Sequence, residues 1–457
     1  GGMESSTRIF TSFYETPTNL TGENIRWVNV IVDMMLPQRA TLFGWALLFP
    51  ALYLLYRGVF QREKRYFLWT GIMAGVMPMV HTHSFLALGL VCGVWMVFSL
   101  CRGLFWESAA SNVGKVLVIV GIITFSVAKE LFRGKEDSNL FLAAAGVVLV
   151  VFLALAGFLV GETIRRRDMR RVVSTWGVLL GVSLLLALPQ LFYWTFQQVG
   201  DGSFIRGHFG WVIGEDGYLV FYLKNLGLTA ILAFGGLLLA NSREFAQYAP
   251  ALAIWLLAEL VEFQPNDYDN NKLLYPAFAF LCCAAAQCAW RGLELLKNRR
   301  AQAGAAAGLV ALTSVSAVFT MGRETVASYE LFGSGALDLA QWVEENTPTH
   351  SVILTDTRHN NEIASLAGRD VVCGSPSYLY FHGLPYWESQ QAAEVIYQHP
   401  EGSQPLVEQL GVDYILVSDF ERVSYQVDTE ALDRLYTRVY DDGSRVLYQV
   451  TEQEDES

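Results

Sequence analysis

Apolar runs long enough to cross a bilayer recur from Ala40 to Met321 and then stop. Crossing the hydrocarbon core takes about 20 apolar residues in a helix. Inside that layer every backbone group must be hydrogen-bonded within the protein, so such a chain is restricted to a bundle of helices. The composition agrees, with 53% hydrophobic and only 17% charged residues. Ten candidate spans follow, over residues 40–57, 66–80, 84–101, 115–133, 139–162, 172–196, 218–240, 248–263, 272–291 and 303–322. The second and third are separated only by "HTH", which reads as a tight hairpin or a break in one helix.

Lysine and arginine resist translocation and so set the orientation. The connections "RGVFQREKR" (57–65), "RRRDMRR" (165–171) and "RGLELLKNRR" (291–300) are rich in them. By contrast, 81–83 has none, 197–217 only Arg206 and 263–272 only Lys272. When ten spans alternate, every rich connection falls on one side. This expectation puts residues 1–39, the poor connections and the C-terminal part outside the cytoplasm, in a multi-pass protein of the plasma membrane. The polar segment 1–39 has no apolar anchor to drive its export. The chain is therefore expected to be the C-terminal part of a longer protein, with an odd number of spans before Gly1.

After Arg323 the composition is that of a soluble domain. The expected organisation is an extracytoplasmic segment (1–39), a multispan domain (40–322) and a soluble α/β domain (323–457). "ALDLAQWVEENTP" has the periodicity of an amphipathic helix stopped by Pro348. "SVILTD", "DVVCG" and "VDYILVSD" read as strands, "NNEIASLAGR" and "PLVEQLG" as helices. "RVYDDGSRVLYQV" reads as a hairpin turning at Asp442-Gly443. Alternating strands and helices predict a small layer with a mostly parallel sheet. The fold class is thus an α-helical polytopic membrane protein of about ten transmembrane helices, followed by a small α/β extracytoplasmic domain.

Several functions are disfavoured. A net charge of −12 argues against nucleic acid as a partner. "GSGA" (333–336) is too short for a phosphate-binding loop and follows no strand. The six cysteines form no disulfide framework. Cys92, Cys101, Cys282, Cys283 and Cys288 lie in or beside apolar runs, Cys373 lies in the soluble part, and all six read as packing residues.

The candidate chemistry lies in the outer connections. In "QPNDYDNNK" (264–272), Pro265 ends the preceding helix, and Asp267, Asp269, Asn270 and Asn271 suit a turn. The same residues offer a polar pocket. Asp267 and Asp269, two apart, face one side if locally extended, and carboxylate oxygens suit a divalent cation such as Mg or Mn. Lys272 neutralises them or holds a phosphate. Glu259 and Glu262 lie at membrane depth, where ionisable groups are costly and tend to face cavities. "VHTHSF" places His81 and His83 as ligands, as acid/base groups, or as caps of a helix end. In "GSFIRGHFGWVIGEDG" (202–217), Arg206 and His208 suit a phosphate, Trp211 a sugar face or the membrane interface, and the glycines a mobile flap. Arg39, in "LPQRATLFG", snorkels to headgroups or meets a lipid phosphate. "NLT" at 19–21 matches a glycosylation acceptor.

The order of these motifs is familiar. "PQR" leads into a span, then come "PxxHxHSF", "QPNDYDNNK", and an outer domain with "NTP", "AGR", "HG" and "VDYILVSDFER". This layout resembles GT-C-type glycosyltransferases and multispan proteins of that layout over most of the chain. The resemblance implies an integral membrane enzyme that takes sugar from a polyprenyl-phosphate donor on the outer face, with the bilayer as its other partner. It implies phosphate contacts from Arg39, Arg206, His208 and Lys272, and metal or acceptor contacts from Asp267 and Asp269. Asp267, Asp269, Asn270 and Lys272 match the outer-loop pattern, whereas Asn266 and Tyr268 depart from it. The acidic catalytic residue of the family's first outer loop has no counterpart here, so the catalytic N-terminal part is expected upstream. Two other readings are a transporter or lipid flippase with an outer domain, and a non-enzymatic envelope assembly protein.

Overall fold

A computed structural model of the protein describes residues 21–101, 112, 115–116, 119–123, 127, 169–195, 205–264 and 266–450. They form two compact units, one ending at Ala327 and the other running on from Ser328.

The first unit is helical. Its elements are α1 (Arg39–Phe60), α2 (Arg65–Val76), α3 (Thr82–Cys101), α4 (Val178–Gln190), α5 (Tyr218–Leu226), α6 (Leu228–Leu239), α7 (Ser242–Leu260), α8 (Asn271–Glu294) and α9 (Arg299–Val326). Two short strands, β1 (Arg206–Gly207) and β2 (Val261–Glu262), pair antiparallel beside them. Among the described residues five helices are long and apolar enough to cross a membrane: Arg39–Phe60, Thr82–Leu100, Arg170–Tyr193, Asp267–Glu294 and Arg299–Val326. In α9 only 6% of the apolar window is buried, against 44% in α1. So large an exposed apolar surface needs lipid around it, and the protein is a polytopic helical membrane protein.

The ten expected spans are not reproduced one for one. The 218–240 run is two helices, α5 and α6, meeting at 110°. The break is at Gly227, whose φ of 58° and ψ of −136° is open only to a residue without a Cβ. The 66–80 run gives a helix ending at Val76, followed by a tight turn at Met77–Met79 around Pro78. α7 is polar at its start, where Asn241 and Glu244 form a capping box, and it is not among the five. The runs 115–133 and 139–162 lie largely or wholly outside the described residues.

The described residues just before α1 enter the core at Ile25, Trp27, Val28 and Met34. Trp27 is buried and packs on Trp255 of α7 and on Tyr275 and Phe278 of α8, with ring centroids 5.9, 4.7 and 5.1 Å away. Asn29 then caps a helical turn, accepting from the Ile31 and Val32 amides.

The second unit is built on β3 (Val352–Leu354), β4 (Asp370–Val371), β5 (Tyr414–Val417), β6 (Thr437–Asp441) and β7 (Val446–Gln449), in the order β4-β3-β5-β7-β6. Strands β4, β3 and β5 run parallel. The expected mostly parallel sheet is in fact mixed, because the β6–β7 hairpin adds antiparallel to β5. Side chains alternate with the strand period of two. Ile353, Tyr414, Leu416 and Leu447 pack with Leu339 and Val343 of α10 (Ser334–Asn346). Leu354, Ile415, Val417 and Tyr448 pack with Ile396 and Tyr397 of α11 (Trp387–Gln398). The Tyr397 hydroxyl donates to the Leu354 and Leu416 carbonyls, fixing α11 across β3 and β5.

Candidate functional site

Two polar neighbourhoods in the membrane unit gather the sequence candidates. The first is the seam between the 205–217 segment and the end of α7. Arg206 faces Glu262 in the β1–β2 register. Its guanidinium donates twice to the buried Glu262 carboxylate, at 2.6 and 2.9 Å. The His208 amide donates to the Leu260 carbonyl, and its Nε2 lies 2.9 Å from the Ala258 carbonyl. Buried Asn270 donates to the Ala258 and Val261 carbonyls at 2.8 and 2.7 Å. The Trp211 amide donates to the Glu259 carboxylate at 2.8 Å, its indole donates to the Tyr268 carbonyl, and the Tyr222 hydroxyl donates to Glu259.

These contacts correct three expectations. The 205–217 segment is not a free flap, because β1 and Trp211 stitch it to α7. Trp211 is fully buried, edge-on to Trp27 and stacked on Tyr268, so it offers no ring face to a sugar. Glu259 and Glu262 bond to this segment rather than facing a cavity. The other polar groups of α5 are also engaged. Lys224 lies 3.6 Å from Asp216, and Asn225 accepts from the Arg26 and Trp27 amides.

The second neighbourhood joins three stretches distant in sequence. α1 brings Thr41 and Gly44, three residues apart and so on one face. The turn after α2 delivers His81, whose ring rests on α1 at Gly44. A Cβ there would lie 2.7 Å from His81 Cγ. His81 Nδ1 is 2.8 Å from the Ser84 hydroxyl and its Nε2 is 3.5 Å from the Thr41 hydroxyl, which itself donates to Gln38. The His83 ring lies 5.4 Å from that of His81. Both histidines are buried, and among the described residues His83 Nε2 has no hydrogen-bond partner. α8 brings Asn271 and Lys272. The Asn271 amide is buried and, among the described residues, makes no side-chain hydrogen bond of good geometry; it lies beside the Tyr268 hydroxyl, which donates to the Arg26 carbonyl. Lys272 pairs with Asp269 at 3.0 Å and acts electrostatically on both imidazoles.

Asp267 and Asp269 do not form the expected metal pair. Asp267–Asn270 is a tight helical turn capped by Asn266, so residues two apart point to different sides. Asp267 is exposed and Asp269 is engaged by Lys272. Among the described residues no group of three or more histidines, cysteines or carboxylates is placed to hold a metal. Arg39 is the exposed first residue of α1. Sequence reading does not single out Thr41, Gly44 and Ser84. Their signal is modest: small polar or absent side chains within "LPQRATLFG" and "VHTHSF".

No family model matches this chain, and no curated protein matches it. Among solved structures it is similar to the Archaeoglobus fulgidus oligosaccharyltransferase, a GT-C-type enzyme. One of these carries a tethered acceptor peptide containing the NVT sequon, with 14% identity, a TM-score of 0.41, and coverage of 90% of this chain and 56% of that one. The apo form gives 12% identity, a TM-score of 0.43 and coverage of 91% and 57%. The complex of AglB with an inhibitory peptide and a dolichol-phosphate gives 14%, 0.41, 91% and 56%. The chain thus spans little more than half the length of these structures.

Proposed function

We propose that this chain is the donor-binding part of an integral membrane glycosyltransferase acting outside the cytoplasm, and that the His81–His83–Asn271–Lys272 cluster receives the phosphate of a polyprenyl-phosphate sugar. The observation that carries this reading is the buried His83 Nε2, without a partner among the described residues, beside His81, with Lys272 of α8 acting on both imidazoles. Buried donors and acceptors are almost always bonded, so the unbonded His83 Nε2 marks where a ligand supplies the missing bond. Lys272 supplies the positive charge. The apolar helices around the cluster suit a polyprenyl tail.

As an acceptor hydroxyl attacks the anomeric carbon, the bond to the lipid phosphate breaks and negative charge grows on the departing oxygen. A lysine fixed by Asp269, with imidazole and amide donors already in place, stabilises that charge without reorganising. Arg206 and His208 are committed at the β1–β2 seam, which moves the phosphate contacts to Lys272 and the histidines. Asp267 and Asp269 do not fit a divalent cation, and no step is assigned to one.

The test is sugar transfer from a polyprenyl-phosphate donor by the full-length protein carrying His83→Ala. The expected result is a loss of about 100-fold, the size typical of removing one preorganised donor, with the melting temperature held. Undiminished transfer would remove the cluster from the mechanism. The orientation is checked with Asp267→Cys, which a membrane-impermeant thiol reagent labels on intact cells if this turn faces outward.

A further inference from the structure

We infer that the opposite end of the membrane unit binds the phosphate headgroup of an anionic membrane lipid. α1 has 22 residues, so its two ends are about 33 Å apart at 1.5 Å per residue. At its C-terminal end a cavity of about 320 Å³ opens between α1, α3 and the start of α7. Arg62 and Arg243 stand on its rim with Ser99 and Ser242, over a floor that includes Phe60 and Phe98.

The arginines are the telling feature. The nearby carboxylates are spoken for: Glu63 pairs with Arg57 and Arg65, and Glu244 with Arg291. Among the described residues neither Arg62 nor Arg243 has an ion pair. Arg243 makes one long bond, 3.5 Å, to the Phe60 carbonyl. Arg62 follows the C-cap Gln61 at φ 63°, the left-handed position that glycine usually takes at a helix end. An arginine held there at conformational cost points to a use for its side chain. Two uncompensated guanidiniums with two hydroxyls match the oxygens of a phosphate diester. An apolar floor beneath them suits the glycerol and first methylenes of a lipid rather than a soluble anion. The end of α1, the end of α3 and the start of α7 are also the helix ends that the lysine and arginine bias assigns to the cytoplasm, where basic clefts between membrane helices hold acidic headgroups.

The experiment uses the whole chain purified in detergent. Retained lipid is counted by native mass spectrometry, and melting is followed with added phosphatidylglycerol, phosphatidylcholine or inorganic phosphate. The expected result is retention of phosphatidylglycerol at least tenfold over phosphatidylcholine, with a raised melting temperature that equal inorganic phosphate does not reproduce. The double variant Arg62→Gln, Arg243→Gln should lose that selectivity. Equal retention of the two lipids by the unaltered protein would overturn the proposal without reference to any variant. So would a double variant that keeps the selectivity, and an equal stabilisation by inorganic phosphate would overturn the assignment to lipid.

Discussion

The β1–β2 seam and the His81–Lys272 cluster draw on the same residue types and use them differently. At the seam, Arg206 meets Glu262, His208 and Asn270 meet backbone carbonyls, and Glu259 accepts from Trp211 and Tyr222. At the cluster, His83 Nε2 is buried and, among the described residues, unbonded. Each buried polar group left without a partner costs about 1–3 kcal/mol. The seam spends its polar groups on holding the 205–217 segment, while the cluster keeps one open at that cost. The charges in a loop therefore say little about where a site is, and what those charges are bonded to says more.

The sharpest way to break this contrast is Glu259→Ala. It strands the Trp211 amide and the Tyr222 hydroxyl in the interior, and at about 1–3 kcal/mol for each unsatisfied group a loss of about 2–6 kcal/mol is expected, read as a collapse of thermal stability. An unchanged melt would mean that the seam does not hold the unit. Next, Arg206→Met alone leaves the buried Glu262 carboxylate unpaired and should cost about 2–3 kcal/mol. Arg206→Met combined with Glu262→Leu should recover to within about 1 kcal/mol of the parent and keep sugar transfer. Loss of transfer in that stable double variant would give the pair a chemical role. At the cluster, Gly44→Ala pushes a methyl into the His81 ring. Overpacking of this kind costs about 1–3 kcal/mol, and the displaced imidazole should lower transfer more than stability.

The smallest effect lies in the second unit and calibrates the others. Arg438 donates to Asp433 at 2.7 Å and holds that carboxyl below its usual range. A depressed folded value stabilises above about pH 4, the unfolded aspartate value, and that stabilisation is lost as pH falls further. The pair is solvent-exposed, so it is worth less than about 1 kcal/mol. Arg438→Met should slightly flatten the fall in stability below pH 4. Buried Asp356 and Glu421 act with the opposite sign. Burial pushes both carboxyls up, so their contribution falls as pH rises above the ordinary carboxylate range. Comparing the variant with its parent cancels that common background.

What the sequence disclosed follows the range of the forces involved. Strands β3 and β5 and the hairpin at Asp442-Gly443, where Gly443 has φ 86°, are written in local alternation and turn residues. The mixed sheet is not, because β7 could have joined either edge or the middle. The apolar runs announced the membrane bundle but not the bend at Gly227, where one glycine decides between one helix and two. The seam was hidden because Arg206 and Glu262 are 56 residues apart, and one reads as a loop charge while the other reads as a carboxylate facing a cavity. Trp211 looked like an interfacial ring for the same reason: its aromatic neighbours Trp27, Phe221 and Tyr268 come from other segments. His81, His83 and Lys272 were visible one by one as unusual residues. Their meeting was not, because it depends on how α1, α3 and α8 pack.

The most direct test of this contrast is binding of a polyprenyl phosphate to the purified protein, compared between Lys272→Ala and the Arg206→Met, Glu262→Leu double variant. The account predicts at least tenfold weaker binding for Lys272→Ala and parent-like binding for the double variant. Parent-like binding by Lys272→Ala with loss in the double variant would contradict it, and would move the site to the seam.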